Sequence, residues 1–395
     1  MSKFELLAPA GDLEKLKMAV LYGANAVFIG GERYSLRSRA SNFTIDDIKE
    51  GVKFAHEHNA HVHVTCNIVM HESDIEGIRD YLIALDEAHV DAIIVSSPAI
   101  MKIAKEYTNL EIHASTQASI LNTEAMKFYE KLGVKRIVLA REASLEEIKL
   151  IREHTKLDLE VFIHGGMCMS YSGRCMLSNV LTNRDANRGG CAHSCRWKYD
   201  IFSDGNKLNN DDGYFAMGSK DLCAISAIPT LMDLNVQSFK IEGRMKSLHY
   251  IATVVKSYRM LIDEYEKTGR VSNLDFYAAE VKKGENRLTS TGFLFGNPTT
   301  KEQLFDMSTE VPTKEFVGIV LGYDNEKHLA IVEQRNYFLP NSKLELFGYN
   351  RDKVISIGQI FNKDFEPLDA ARHPKEIIYM ECNEPLYPNE ILRLC

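Results

Sequence analysis

The chain has 395 residues, 45% hydrophobic and 26% charged, with a formal net charge of −8. That length admits more than one domain and a sizeable core, and no apolar run approaches the roughly 20 residues that a membrane-spanning helix needs. The opening segment MSKFELLAPAGDLEKL lacks the basic and apolar regions of a signal peptide, so a cytoplasmic location is expected, and the acidic total leaves any nucleic-acid partner to a local basic surface.

Eight short runs rich in Val, Ile and Leu punctuate the first part of the chain. They are FELLAPAG from Phe4, AVFIGG from Ala26, HVHVTCN from His61, AIIVSSP from Ala92, EIHASTQAS from Glu111, RIVLARE from Arg136, LEVFIHGG from Leu159 and SFKIEGR from Ser238. Such runs read as strands buried on both faces, as in parallel sheets. Amphipathic helix-length segments alternate with them. Asp12, Thr44, Ser73, Asn122 and Ser144 stand where N-caps would start those helices. Gly23 and Gly133 fall where a C′ glycine would stop one. The repeat predicts an α/β fold, a (β/α)8 TIM-like barrel over 1–268, with a doubly wound sheet as the competing arrangement. A Cys-rich insertion, about 164–224, follows strand seven, and 269–312 reads as a polar connector. In 313–395 the runs EFVGIVLGYD, HLAIVEQRN, KLELFGY, KVISIGQIFN, EIIYMECN and EILRLC predict a small C-terminal all-β barrel domain.

Five cysteines crowd into the insertion, spaced Cys168-x6-Cys175-x15-Cys191-x3-Cys195-x27-Cys223. In a reducing compartment, clustered cysteines point to metal ligands or reactive thiols rather than disulfides. Thiolates select soft metals: zinc, copper or iron–sulfur. Structural zinc favours paired C-x2–4-C knuckles, and only Cys191–Cys195 approaches that spacing. Ligands this spread suit a cluster better, with zinc or metal-free buried thiols as the alternatives. Cys66, Cys382 and Cys395 are isolated and read as ordinary thiols. The insertion also carries Arg174, Arg184, Arg188, Arg196 and Lys198, a candidate RNA- or phosphate-binding set. A solvated loop is the plainer reading of the same charges. Trp197 could stack on a base or simply pack.

In a barrel, an insertion after strand seven lies at the C-terminal mouth, where βα-loops build active sites. The same end would gather Asn67, Gln117, Arg141, Glu142, His164, Lys240, Glu242 and Arg244. FIGGERYS has no G-x-G-x-x-G, no G-x-S-x-G occurs, and HEHNAH at His56 misses H-E-x-x-H because Ala60 holds the fifth position. A cysteine peptidase stays open, with Cys175 or Cys195 as nucleophile and His193 or His164 as base, although a nucleophile has no need of so many neighbouring cysteines.

The segments CMSYSGRCMLSNVLTNRDANRGGCAHSCRWKY, LLAPAGDLEKLKMAVLYGANAVFIGG and NVQSFKIEGRMKSLHYIATVVKSYR resemble the collagenase-like peptidase family, family thirty-two of the unassigned type. The similarity covers essentially the whole chain, β-rich tail included. Within the family it is greatest to a branch implicated in prephenate-dependent, oxygen-independent hydroxylation of the tRNA wobble uridine to 5-hydroxyuridine. Sister branches hydroxylate a ribosomal RNA cytidine or ubiquinone precursors. The resemblance implies a 4Fe-4S cluster on the positions matching Cys168, Cys175, Cys191 and Cys223, with Cys195 as an alternative ligand or a reactive thiol. It implies prephenate, a small dianionic metabolite, as co-substrate. Arg141 and Arg244 are the matching cationic forks and Lys240 a third, while a structural ion pair with Glu242 is the competing role. His164, four residues before Cys168, is a candidate donor to the cluster. The candidate catalytic set is thus Arg141, His164, Lys240, Glu242 and Arg244. The expected partners are tRNA and a paralogous subunit. Zinc in place of iron, peptide hydrolysis, and an rRNA or quinone substrate are the alternatives.

Overall fold

The computed structural model describes residues 2–36, 42–209, 215–284, 287–304 and 315–395. Each of the eight apolar runs forms a strand: β1 (Glu5–Pro9), β2 (Ala26–Gly30), β3 (His61–Cys66), β4 (Ala92–Val95), β5 (Glu111–Ala114), β6 (Arg136–Val138), β7 (Asp158–Gly165) and β8 (Ser238–Ile241). All are parallel and follow sequence order, and β8 pairs with both β1 and β7. That closure makes a (β/α)8 barrel and excludes the doubly wound sheet.

Helices α1 (Leu13–Leu21), α2 (Ile45–Glu57), α3 (Ile78–Glu87), α4 (Pro98–Tyr107), α5 (Thr123–Lys131) and α6 (Leu145–His154) alternate with the strands. Asp12, Thr44, Asn122 and Ser144 accept the N–H of Lys15, Asp47, Ala125 and Glu147 as N-caps, and Thr44 and Ser144 complete capping boxes. Ser73 is a correction: it lies inside the single 3-10 turn Glu72–Asp74, and α3 begins after Gly77 at φ 83°. Asp74 accepts the N–H of His71 and closes that earlier turn locally, so the helix restarts after a left-handed residue that glycine adopts at little cost. Gly23 and Gly133 have φ of 107° and 95°, the left-handed values of helix-ending glycines. Helix α4 starts at the end of the AIIVSSP run, with Pro98 in its first turn.

After β7 come α7 (Leu177–Thr182), α8 (Ile228–Asp233) and the long α9 (Leu248–Thr268), whose apolar face is buried in the main core. The short strand Asp221–Cys223 runs antiparallel to the end of β7 and sets Cys223 opposite His164. The segment read as a connector is partly helical. In α10 (Leu274–Lys282), Asn273 accepts the N–H of Phe276, and Tyr277 and Val281, one turn apart, are buried. No helix among the described residues is long and apolar enough to cross a membrane.

The expected boundary at 312/313 lies outside the described residues. Beyond it, β9 (Phe316–Asp324), β10 (Leu329–Gln334), β11 (Lys343–Phe347), β12 (Asp352–Ser356), β13 (Ile360–Phe361), β14 (Pro367–Leu368), β15 (Ile377–Glu381) and β16 (Ile391–Leu394) form one antiparallel sheet in the order β12-β11-β16-β9-β10-β15-β13-β14. This all-β domain has its own core, with Val317, Val332, Leu344 and Ile378 among its buried residues. It docks on α1 and α9. Tyr22 Oη donates to the carbonyls of Phe347 and Asn389 at 2.8 and 3.0 Å, and Lys256 Nζ lies 2.7 Å from Asp352.

Candidate active site at the barrel mouth

The C-terminal ends of the strands and the insertion enclose a cavity of about 440 Å3. Its floor includes Phe28, Thr65, Phe162 and Lys240, and its walls come from the insertion and from the loop after β8. Gly165 shows how tightly these two pack. It has φ 101°, and a Cβ there would sit 2.2 Å from the carbonyl oxygen of Glu242, so a side chain would drive the β7 and β8 ends apart.

Cations dominate the lining. Arg141, Arg196, Lys240, Arg244, Lys246 and Arg287 face two carboxylates, Glu142 and Glu242. On a chain of net −8 this is a strongly local field, of the kind that draws anions. The guanidinium of Arg141 lies 3.8 Å from the centre of the Phe162 ring. Arg244, nearly buried, donates to the hydroxyls of Ser35 and Thr65 at 3.2 Å each. Lys240 is turned inward: its Nζ lies 4.5 Å from the Phe28 ring centre and is ion-paired with Glu160. Asp221 anchors three of the mouth cations, at 3.3 Å from Arg196, 3.8 Å from Arg287 and 3.9 Å from Lys246. Sequence reading passed over Asp221 and Arg287. The only available hint was that Asp221 lies two residues before a clustered cysteine.

None of the eight cysteines, all among the described residues, is in a disulfide. Cys168, Cys175, Cys191 and Cys195 line the cavity. Cys223 stands outside that lining, half-buried at the end of its short strand, with the Tyr258 hydroxyl 3.9 Å from its sulfur. Among the described residues, no three cysteine sulfurs lie within 4.8 Å of one another. Two sulfurs accept backbone N–H groups, Cys168 from Ser170 at 3.4 Å and Cys175 from Leu177 at 3.3 Å. Burial pushes the Cys168 and Cys195 thiols up, and the neighbouring thiols push the same way, against Arg141 for Cys168 and Arg196 for Cys195. The set is a wall of soft donors on which negative charge accumulates only if a cation joins it.

His164 is buried behind the wall rather than on it. Its Nδ1 lies 3.4 Å from the Tyr258 hydroxyl, and burial lowers it to about 3. Asn67 lines the cavity and accepts the N–H of Leu36. Glu242 lines it too, and its carbonyl accepts from Tyr250 Oη at 2.9 Å. Glu142 reaches the insertion and accepts the N–H of Ser172 at 2.8 Å.

The five basic residues of the insertion do not share one surface. Arg174 Nε donates to the Gln117 carbonyl at 2.9 Å. Arg188 holds Asp74 with both terminal nitrogens, and Arg196 turns into the mouth. Arg184 is half-buried, while Lys198 and Trp197 are exposed beside each other. At the opposite end of the barrel, His56 and His61 of HEHNAH both meet Asp91, at 3.0 and 2.9 Å. Asp91 also accepts the N–H of Val62, so this trio is accounted for as a strand-end lock.

Residues 11–304 match the family described as peptidase family U32, and residues 312–393 match the peptidase family U32 C-terminal domain. The tRNA hydroxylation protein P1 of Bacillus subtilis is 46% identical, over 99% of this chain and 94% of that protein. The 23S rRNA 5-hydroxycytidine synthase of Escherichia coli is 38% identical, over 83% of this chain and 48% of that protein. The collagenase of Porphyromonas gingivalis is 36% identical, over 67% of each.

Proposed function

The chain belongs to peptidase family U32, and from that premise we propose that it is an RNA-modifying enzyme that hydroxylates C5 of the tRNA wobble uridine. We infer further that it does so without molecular oxygen, with prephenate as hydroxyl source and a 4Fe-4S cluster in the insertion. The observation that carries the reading is one cavity whose lining joins a wall of thiols to a cluster of cations. Near full-length similarity to a protein named for tRNA hydroxylation supports the substrate. The relative named for 5-hydroxycytidine supports the pyrimidine C5 position as the site of chemistry.

Cys168, Cys175 and Cys191 would hold the cluster, with Cys223 or Cys195 as the fourth thiolate. The spread of these cysteines along the chain, with Cys191–Cys195 alone near a knuckle spacing, is what supports a cluster over a structural zinc. The N–H groups of Ser170 and Leu177 on two sulfurs are the kind of hydrogen bonds that tune such a cluster. When bound, an iron–sulfur cluster supplies one-electron transfer at this wall. Arg141 and Arg244 would grip the carboxylates of the dianion. Ser35 and Thr65 hold the Arg244 fork, and the Phe162 face holds that of Arg141. Glu160 neutralises Lys240 below them. The C-terminal all-β domain is the element we assign to RNA docking.

Peptide hydrolysis is the second reading, favoured by the relative named collagenase. Two features of the site oppose it. Burial raises the Cys195 thiol where a nucleophile needs a lowered one, and His164 is enclosed against Tyr258. The deciding experiment is nucleoside mass spectrometry of tRNA from a strain lacking the gene and any paralogue, complemented with wild type or Cys175→Ala. The proposal expects hydroxyuridine-derived nucleosides to vanish and to return with wild type alone. An unchanged profile overturns it, and gelatin cleavage by the purified protein would then favour the peptidase.

A further inference from the structure

Gln117 sits in the one-turn 3-10 helix Thr116–Ala118 just after β5. Its backbone is held from two sides: its N–H donates to Ser115 Oγ at 3.4 Å, and its carbonyl accepts from Arg174 Nε at 2.9 Å. The residue lines the cavity and is 4% exposed, and both Oε1 and Nε2 of its amide are buried without a protein partner. Buried amides are almost always hydrogen-bonded, because leaving one unpaired forfeits its hydration for nothing. A fixed backbone with an unmatched amide buried at the wall of a cavity marks a group that a ligand entering that wall would satisfy.

We propose that the Gln117 amide reads the Watson–Crick edge of a pyrimidine drawn into the barrel mouth, an inference that rests on the RNA-modifying reading above. The amide offers a donor and an acceptor side by side, the pairing that lets glutamine read adenine in a duplex. For uracil, Oε1 accepts N3–H and Nε2 donates to O4. For cytosine the amide turns over, so that Nε2 donates to N3 and Oε1 accepts from the exocyclic amine. No hydrogen bond among the described residues fixes the amide in either orientation, so one residue serves both bases. Discrimination between the two belongs to other groups. The C5 edge takes no part in this pairing and stays open to chemistry. Extrusion of a base into an enclosed pocket is how enzymes reach a ring atom that stacking hides.

The test is binding by fluorescence anisotropy, with anaerobically prepared full-length protein and two RNA hairpins. One carries uracil at the modified position, and the other is abasic there. Wild type is expected to prefer the uracil hairpin by roughly ten- to hundred-fold. Gln117→Met is expected to lose most of that preference while binding the abasic hairpin as wild type does, which also shows that the variant is folded. Should Gln117→Met lose both hairpins, Gln117→Glu, which keeps the size and loses the donors, takes its place. A variant that keeps the wild-type preference, or a wild type that does not distinguish the hairpins, overturns the inference alone. Failure of wild type to bind either RNA overturns the RNA reading, and this inference with it.

Discussion

Arg393, in β16 of the C-terminal sheet, has no exposed surface, and its Nε donates to Nε2 of His249 in α9 across 2.9 Å. His249 is therefore held as a neutral acceptor at the seam between the two domains. Burial lowers it to about 3, and the Arg393 charge acts in the same direction. Burial likewise lowers His63, inside the barrel, to about 3. An unfolded histidine takes its proton near pH 6.5, so below that value the unfolded chain binds protons that the folded one refuses. The stability these two groups contribute is complete above about pH 6.5 and is lost as pH falls toward 3, by about 1.4 kcal/mol per pH unit for each. Urea midpoints measured from pH 7 to pH 4 should fall accordingly. His249→Gln keeps an acceptor for Arg393 and removes the titration, so its curve should be shallower by about one proton. An unchanged slope in that variant would refute the assignment.

The barrel axis holds a second coupled pair. Lys240 Nζ lies 2.6 Å from Glu160 Oε1 and both side chains are buried, with Arg136 3.5 Å from the other carboxylate oxygen. Burial alone would raise Glu160, but Lys240 and Arg136 outweigh it and hold the carboxyl below its usual range. Lys240→Met strips a buried carboxylate of its nearest cation and should cost about 3–5 kcal/mol in urea unfolding at pH 7. Adding Glu160→Gln should return a large part of that loss. A double variant as unstable as the single one would show that the pair does not act as a unit.

The cysteines separate by substitution. Cys168→Ala, Cys175→Ala and Cys191→Ala should each abolish iron and visible absorbance in anaerobically prepared protein, whereas Cys66→Ala and Cys382→Ala should leave both unchanged. Comparing Cys195→Ala with Cys223→Ala identifies the fourth ligand, since one lines the cavity and the other stands behind it. Full iron content in all three of the first group would remove the cluster from the proposal.

Arg188 and Asp74 tie the insertion to the loop between β3 and α3. The Arg188 fork, through its hydrogen bond first, holds the Asp74 carboxyl down at about 2. The pair is partly exposed, so it contributes on the order of 1 kcal/mol. Its effect should be local: Asp74→Asn should speed protease nicking within the insertion while barely moving the global urea midpoint. A large midpoint shift would place the tie in the core instead.

Short-range chemistry wrote much of this molecule legibly. Runs such as AVFIG and AIIV bury every side chain, so continuous hydrophobicity marked these barrel strands directly, while HVHVTC, EIHA and SFKI were legible through their place in the repeat. Asp12, Thr44, Asn122 and Ser144 cap helices through atoms three residues away, which is why their residue types sufficed. Ser73 has the right type and the wrong neighbour, because Asp74 closes a turn ahead of it. What only the tertiary structure decided depends on separations of tens of residues. Asp221 becomes the anchor of the mouth by meeting Arg196, Lys246 and Arg287, and α10 forms where composition suggested a connector because it has α9 to pack against. Cys195 reaches the cavity wall while Cys223 does not, although the family resemblance put Cys223 first and Cys195 as the alternative. Whether a buried amide has a partner is likewise invisible in a linear order. Hydrogen-bond satisfaction is a property of the space around an atom, and Gln117 stands out only once that space has walls.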